Sequence, residues 1–175
     1  QIESTGAQID TATLLTTLTT MGATGEVDEV IKLPSKSNKL IVFTGLGKIE
    51  SNFSPELLRR AAGAASRNLL GNEGASFALP HKSVAEIAAI AEGAALGSYS
   101  FTEFRGSTKS GQKSPLSSIT IVTRFADTAQ AKSAIKRAEI IAEQTFLVRD
   151  LVNTPPSSLT PDSFCLRAKK LASKY

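Results

Sequence analysis

The chain has 175 residues, of which 41% are hydrophobic and 21% charged, and it carries a formal net charge of +4. This length and composition predict one ordinary globular domain and exclude an intrinsically disordered chain. No apolar run is long enough to span a bilayer, and the first residues, "QIESTGAQID", lack the pattern of a signal peptide. We therefore expect a cytoplasmic protein with no membrane contact.

The first half of the chain predicts a helix, two strands, a helix and a strand. Residues 10–22 have apolar side chains at helical spacing and end at Gly22. "EVDEVIKL" and "KLIVFTGL" predict strands, and the continuous apolar run of the second predicts burial on both faces. "SPELLRRAAGAASRNLLG" predicts a helix with Ser54 as its N-cap and Pro55 at the first position, and "GASFALP" predicts a third strand.

The second half of the chain continues this alternation. "SVAEIAAIAEGAALGSY" predicts a helix that begins with a capping box of Ser83 and Glu86. A polar loop from 105 to 118 is followed by a strand, "SITIVTRF", and then by the longest helix, for which we predict Asp127 as the cap. The buried face of that helix is predicted to comprise Ala131, Ile135, Ala138, Ile141, Ala142 and Val148.

Helices and strands that alternate in this way predict an α/β fold with parallel neighbouring strands. The specific prediction is a three-layer α/β/α sandwich with a mixed, mostly parallel sheet. A last helix is predicted after Thr160, Pro161 and Asp162, which form an N-cap, a first-position proline and a first-turn acid.

The single cysteine and the single histidine exclude an internal disulfide and every metal site built on several imidazoles. Cys165 lies in the last helix, where we expect it to be a small buried hydrophobe. His81 follows Pro80 in a predicted loop. No serine or cysteine motif points to His81, so a catalytic role is not expected.

The motifs of nucleotide and catalytic sites are incomplete in this sequence. "TGLGKIE" places Gly45 and Gly47 after a strand, but Glu50 stands where a dinucleotide-binding loop needs its third glycine. A tight turn at the end of the strand is the better interpretation. Asp28 and Glu29 are expected on opposite faces of a strand, and Glu139 is expected to pair with Lys136 or Arg137.

The basic residues are scattered over several predicted elements, including Arg59, Arg60 and Arg67 on one helix. Dispersed basic residues usually form a solvated surface. The chain has no tryptophan and only two tyrosines, so the aromatic platform of a base-stacking protein is missing. Phosphate binding through these helices remains an alternative.

One long segment, "AEIIAEQTFLVRDLVNTPPSSLTPDSF", closely resembles the junction between the two domains of the leucine aminopeptidase (cytosol aminopeptidase) family. "GLGK" followed by "LLRRAAGAASRNL", and "IAEGAALGSYSF", agree with the same family. The resemblance covers most of the chain from about Leu40 onward and is weakest in the first 38 residues. The residues that match the junction motif are Arg149, Asp150, Leu151, Val152, Asn153, Pro155, Leu159, Thr160 and Pro161.

This resemblance implies the N-terminal part of a metallo-aminopeptidase that releases N-terminal residues from peptides. In the family, two divalent ions, manganese or zinc, are bound by segments of the C-terminal domain, and neither segment occurs in this sequence. The implied domains are a non-catalytic, macro-domain-like unit over 1–152 and a junction with the first catalytic-domain helix over 153–175. We therefore expect no catalytic, metal-binding or cofactor-binding residue in this chain and no activity of the chain alone.

The resemblance also implies partners. The first is the chain's own C-terminal catalytic domain, and the others are five further copies in a homo-hexamer and a peptide substrate. DNA binding is associated with some members of the family. The alternative to an aminopeptidase domain is a standalone module that binds nucleic acid or a nucleotide.

Overall fold

The computed structural model describes residues 11–35, 39–104 and 113–173. The helices and strands within them follow the predicted order, and the α/β class is confirmed. Their bounds are α1 Thr11–Thr20, β1 Val30–Pro34, β2 Leu40–Thr44, α2 Pro55–Asn68, β3 Gly74–Phe77, α3 Val84–Gly97, β4 Ser118–Ile121, α4 Ala129–Asn153 and α5 Pro161–Ala172. The loop predicted from 105 to 118 falls mostly outside the described residues.

The strands pair as two separate two-stranded sheets in the described part of the chain. β1 and β2 are antiparallel, with Val30 opposite Thr44, whereas β3 and β4 are parallel, with Gly74 opposite Ser118. The connection from β1 to β2 is too short for the crossover that parallel strands require, which explains their antiparallel pairing. One continuous, mostly parallel sheet is therefore not what these strands form, although the α/β class holds.

The hydrophobic core lies between the strands and a packed pair of helices, α2 and α3. The side chains of Leu58 and Ile90 are fully buried there. The main contacts between helices and strands are those of α2 with β2 and of α3 with β4. Helix α4 packs on α3. None of the five residues of β2 is buried, contrary to the burial on both faces that its apolar run predicts.

Helix caps account for where the helices begin. Ser54 and Ser83 accept hydrogen bonds from the backbone N–H groups of Leu57 and Glu86, at 3.2 and 3.4 Å. Thr160 caps α5 as predicted, by accepting from Ser163 N. Thr128, not Asp127, caps α4: its backbone is extended and its hydroxyl accepts from Ala131 N at 3.2 Å. The predicted cap was one residue early.

Burial along α4 and α5 is less than the sequence pattern predicts. Ala131, Ala138 and Ala142 are buried, but Val148 is 57% exposed, so its predicted burial was wrong. Helix α5 has no buried residue, and Cys165 is exposed, so its predicted burial was also wrong. The reason is that no described element packs extensively on α5. None of the described helices combines the length and the apolar character needed to cross a membrane.

Candidate functional site

The described residues do not form a metal site. Nowhere in 11–35, 39–104 and 113–173 do three His, Cys, Asp or Glu side chains lie close enough together to bind a metal ion. Glu139 accepts a hydrogen bond from Lys136 at 3.3 Å, which is the predicted surface ion pair.

The glycine turn after β2 is packed against the backbone of the segment before β1. A Cβ atom on Gly45 would lie 1.8 Å from the carbonyl oxygen of Glu26, and Gly47 N donates to Gly25 O at 2.8 Å. Gly47 also has a φ of +77°, which glycine adopts without strain. The segment is thus a tight turn at the end of a strand, as the sequence indicates, and its glycines do not frame a phosphate.

Asp28 and Glu29 precede β1 and do not alternate on a strand, so the predicted arrangement was wrong. The carboxylate of Glu29 accepts hydrogen bonds from the backbone N–H groups of Thr24, at 3.0 Å, and of Gly25, at 2.5 Å. These donors lower the pKa of Glu29 from its ordinary value of 4.5. Asp28 has a φ of 69° and forms an ion pair with Arg60. These contacts of Asp28 and Glu29 therefore stabilise the turn that precedes β1.

His81 connects the loops that follow the two parallel strands. Its Nδ1 lies 2.8 Å from the carbonyl oxygen of Leu79, which can only accept, so Nδ1 is the protonated nitrogen. Its Nε2 lies 2.8 Å from the hydroxyl of Thr123, within hydrogen-bond distance. Both ring nitrogens are thus used in contacts that connect these two loops.

The junction motif at the end of α4 is anchored to Tyr99, which follows α3. The hydroxyl of Tyr99 donates to Asp150 Oδ1 at 2.8 Å and accepts from Asn153 Nδ2 at 3.1 Å. The ring centroids of Tyr99 and Phe146 are 5.3 Å apart. The guanidinium carbon of Arg149 lies 5.2 Å from the centroid of the Tyr99 ring. Burial, followed by the carboxylate of Asp150, raises the pKa of Tyr99, so the phenol keeps its proton at neutral pH.

The backbone after α4 is held by a second contact of Asp150. The carbonyl oxygen of Asp150 accepts from Thr154 N at 2.9 Å and from Thr154 Oγ1 at 2.6 Å, and Thr154 is buried. Two prolines, Pro155 and Pro156, then prevent the helix from continuing. The direction in which the chain leaves α4 is thus set by hydrogen bonds and by proline stereochemistry. The sequence motif contained these residues, but their attachment to Tyr99 depends on tertiary packing.

A cavity of about 560 Å³ lies beside this junction and is lined mainly by arginines and glycines. The sequence suggested scattered basic residues, but the structure brings Arg59, Arg60 and Arg67 of α2 together with Arg149 of α4. The spacing of Arg60, Gly63 and Arg67 on one face of α2 is a sequence signal of this cavity. Lys136 and Arg137 do not line it.

The fold and the junction point to a domain of a peptidase, and the comparisons with known proteins identify the family. Residues 3–108 match the model of the N-terminal domain of the cytosol aminopeptidase family. The chain therefore belongs to that family, and its fold is that of the N-terminal domain. The match includes residues 3–38, in which the sequence motifs resemble the family least. A standalone nucleic-acid- or nucleotide-binding module is not favoured by these matches.

Relatives from bacteria agree with this assignment. The chain is 40% identical to a probable cytosol aminopeptidase of Streptomyces griseus, in an alignment that covers 86% of this chain and 33% of that protein. It is 38% identical to the corresponding protein of Streptomyces coelicolor, over 93% of this chain and 35% of the relative. The chain thus spans about a third of the length of these relatives.

Solved structures share the fold. The bottromycin maturation enzyme BotP, in complex with Mn, superimposes with a TM-score of 0.74 at 27% identity, over 97% of this chain and 34% of BotP. A mutant of tomato leucine aminopeptidase superimposes with a TM-score of 0.71 at 23% identity, over 98% of this chain and 37% of the tomato protein. Both cover nearly all of this chain with about a third of a longer protein.

Proposed function

We propose that this chain serves a cytoplasmic metallo-aminopeptidase that removes N-terminal residues from peptides, with the reaction carried out by a separate C-terminal domain. The observation that carries this proposal is the family match of residues 3–108 in a chain that spans about a third of its relatives. In this account the domain contributes assembly, in a homo-hexamer, and orientation of the catalytic domain.

The proposed domain boundary follows residue 152. Support comes from the end of α4 at Asn153, the two prolines that follow, and the absence of buried residues in α5. Residues 1–152 are then the N-terminal domain, and 153–175 are the junction and the first helix of the catalytic domain. The Tyr99 hydroxyl, bonded to Asp150 and Asn153, would hold this junction in a defined direction.

The two divalent ions of the reaction, manganese or zinc, belong in this proposal to the C-terminal domain. The described residues do not fit such ions, because they contain no group of three potential His, Cys, Asp or Glu ligands. No catalytic step is therefore assigned to this chain. Its own residues bind and orient neighbouring protein.

Hydrolysis of a leucine anilide in the presence of Mn²⁺ tests the proposal. The 175-residue chain and a longer protein of the relatives' length are compared at equal molar concentration. We expect turnover by the longer protein that a chelator abolishes, and no turnover above buffer by the chain alone. Hydrolysis by the 175-residue chain, or none by the longer protein with Mn²⁺ or Zn²⁺, would refute it.

A further inference from the structure

The arginine-lined cavity between α2, α3 and the end of α4 has a distribution of charge that the aminopeptidase role does not explain. Its volume of about 560 Å³ lies within the range of small-molecule sites. Four guanidinium groups line it, and they belong to Arg59, Arg60, Arg67 and Arg149. What these groups can bind depends on which of them are already neutralised by carboxylates.

Two of the four arginines are neutralised within the domain. Arg59 Nε and Nη2 donate to Glu92 Oε2, each at 3.0 Å, and Arg59 also contacts Glu56. Arg60 forms an ion pair with Asp28. These two arginines mainly connect α2 to α3 and to the turn before β1.

The other two arginines have no carboxylate partner among the described residues. Arg149 donates through Nη1 to the carbonyl oxygen of Leu96 at 3.2 Å and lies over the Tyr99 ring, and both of these partners are neutral. Arg67 is exposed and makes no hydrogen bond or ion pair with the described part of the protein. Each guanidinium therefore keeps several N–H donors that can bind an anion.

Glycines at the crossing of α2 and α3 also line the cavity, beside these two arginines. A Cβ atom on Gly63 would lie 3.5 Å from Arg67 Nη1, and a Cβ atom on Gly97 would lie 2.7 Å from Gly63 Cα. Gly97 follows Leu96, whose carbonyl binds Arg149. The two free guanidinium groups thus lie beside the crossing of α2 and α3, at which the backbones of Gly63 and Gly97 are in direct contact.

We propose that this cavity binds a small anion that carries adjacent phosphate groups, of the pyrophosphate class. Arginine presents paired N–H donors that match phosphate oxygens, and two unneutralised arginines that line the same cavity can bind two neighbouring phosphates. The net charge of +4 favours the approach of such a ligand. This inference does not depend on peptidase activity.

Calorimetric titration of the 175-residue chain with inorganic pyrophosphate tests the proposal. We expect saturable binding that Arg67→Gln and Arg149→Gln each weaken about tenfold, because each removes one charge-assisted pair of hydrogen bonds. Arg137→Gln is the matched control, because it removes the same charge from a position on α4 outside the cavity. We expect it to leave the affinity within about twofold. Circular dichroism verifies that each variant is folded.

Three results would overturn the proposal of an anion-binding site. The first is the absence of saturable binding to the unmodified chain. The second is an equal loss in Arg137→Gln, which would mean diffuse attraction to a basic surface. The third is binding by the chain but not by the longer protein, which would mean that protein carboxylates occupy the cavity. A short DNA duplex that binds but does not compete with pyrophosphate would leave the small-anion site intact and place DNA elsewhere.

Discussion

Two regions of this protein differ in whether their large apolar side chains are buried or exposed to solvent. The pair of helices α2 and α3 carries fully buried side chains, including Leu58 and Ile90, and backbone in direct contact at glycines. Helix α5 and the last turns of α4 carry apolar side chains that remain exposed: Val148, Val152, Phe164 and Leu166. The first region forms a hydrophobic core, whereas the second presents an apolar surface that no described element covers.

This difference indicates which part of the domain depends on its own residues for stability. Burial of apolar side chains stabilises α2 and α3 within the chain itself. An exposed apolar surface of several large side chains is typical of an interface. Because the relatives are about three times as long, we infer that the remainder of such a protein covers α5, and the following substitutions test that inference.

The largest expected effect is that of Leu58→Ala. Its side chain is completely buried, so the substitution should lower the free energy of unfolding by about 3 kcal/mol. Leu166→Ala, the matched control on α5, should change it by less than about 0.5 kcal/mol, because Leu166 is 67% exposed. Urea denaturation measures both. Similar losses of stability in the two variants would contradict the difference between the two regions. A larger loss of stability for Leu166→Ala in the longer protein than in the chain alone would support the inference that the rest of the protein covers α5.

Alanine substitutions at the glycines of the helix crossing should follow next. The added Cβ would lie 2.1 Å from Arg59 O at Gly93, 2.4 Å from Gly63 O at Gly97, and 3.3 Å from Gly93 O at Gly63. Alanine gains about 1 kcal/mol in helix propensity, so the clash must exceed that gain. We expect a net loss of about 2 kcal/mol for Gly93→Ala, less for Gly97→Ala and least for Gly63→Ala, in thermal unfolding. A reversed order would be inconsistent with this packing.

Tyr99→Phe should have a moderate effect. It removes the hydroxyl bonded to Asp150 and Asn153 but keeps the ring against Phe146, so a loss of about 1 kcal/mol is expected. Combined with Asn153→Ala, it should show coupling of about 0.5 kcal/mol, because the two side chains share a hydrogen bond. Urea denaturation of the single and double variants measures this. Full additivity would mean that the junction is not held by Tyr99.

Glu29→Gln should have the smallest effect, and the effect should depend on pH. The pKa of Glu29 is lower in the folded chain than its ordinary value of 4.5, so ionised Glu29 stabilises the fold above that pH and less as pH falls through the folded pKa. The Glu29→Gln variant should therefore lose less stability than the unmodified chain between about pH 5 and pH 3. Thermal melts across this range measure it, with Glu73→Gln as an exposed control. Parallel curves for all three proteins would contradict the role of Glu29.

Local chemistry made the order of elements predictable. Ser54, Ser83 and Thr160 begin helices because a short side-chain oxygen before an apolar period is a local signal. The same signal placed the start of α4 one residue early, because Asp127 and Thr128 are both good caps and only the backbone conformation distinguishes them. The order of the helices and strands follows from such local signals, which explains why the predicted order agrees with the structure.

Burial and the arginine cavity could not be predicted in the same way. Val148 and Cys165 lie on apolar helix faces, but burial requires a second element, and the periodicity of one helix cannot say whether that element is present. Arg67 and Arg149 lie far apart in sequence and line one cavity only because α3 lies between α2 and α4 in the packing. The contacts of Tyr99 with Asp150 and Asn153 depend on the same packing.

Amide hydrogen exchange of residues 161–172 tests the central claim most directly. The measurement compares the 175-residue chain with the longer protein, and α2 and α3 serve as the internal reference. We expect α5 to exchange rapidly in the chain alone and to become strongly protected in the longer protein, while protection of α2 and α3 stays the same. Equal protection of α5 in the two proteins would contradict the claim that the rest of the protein covers this helix.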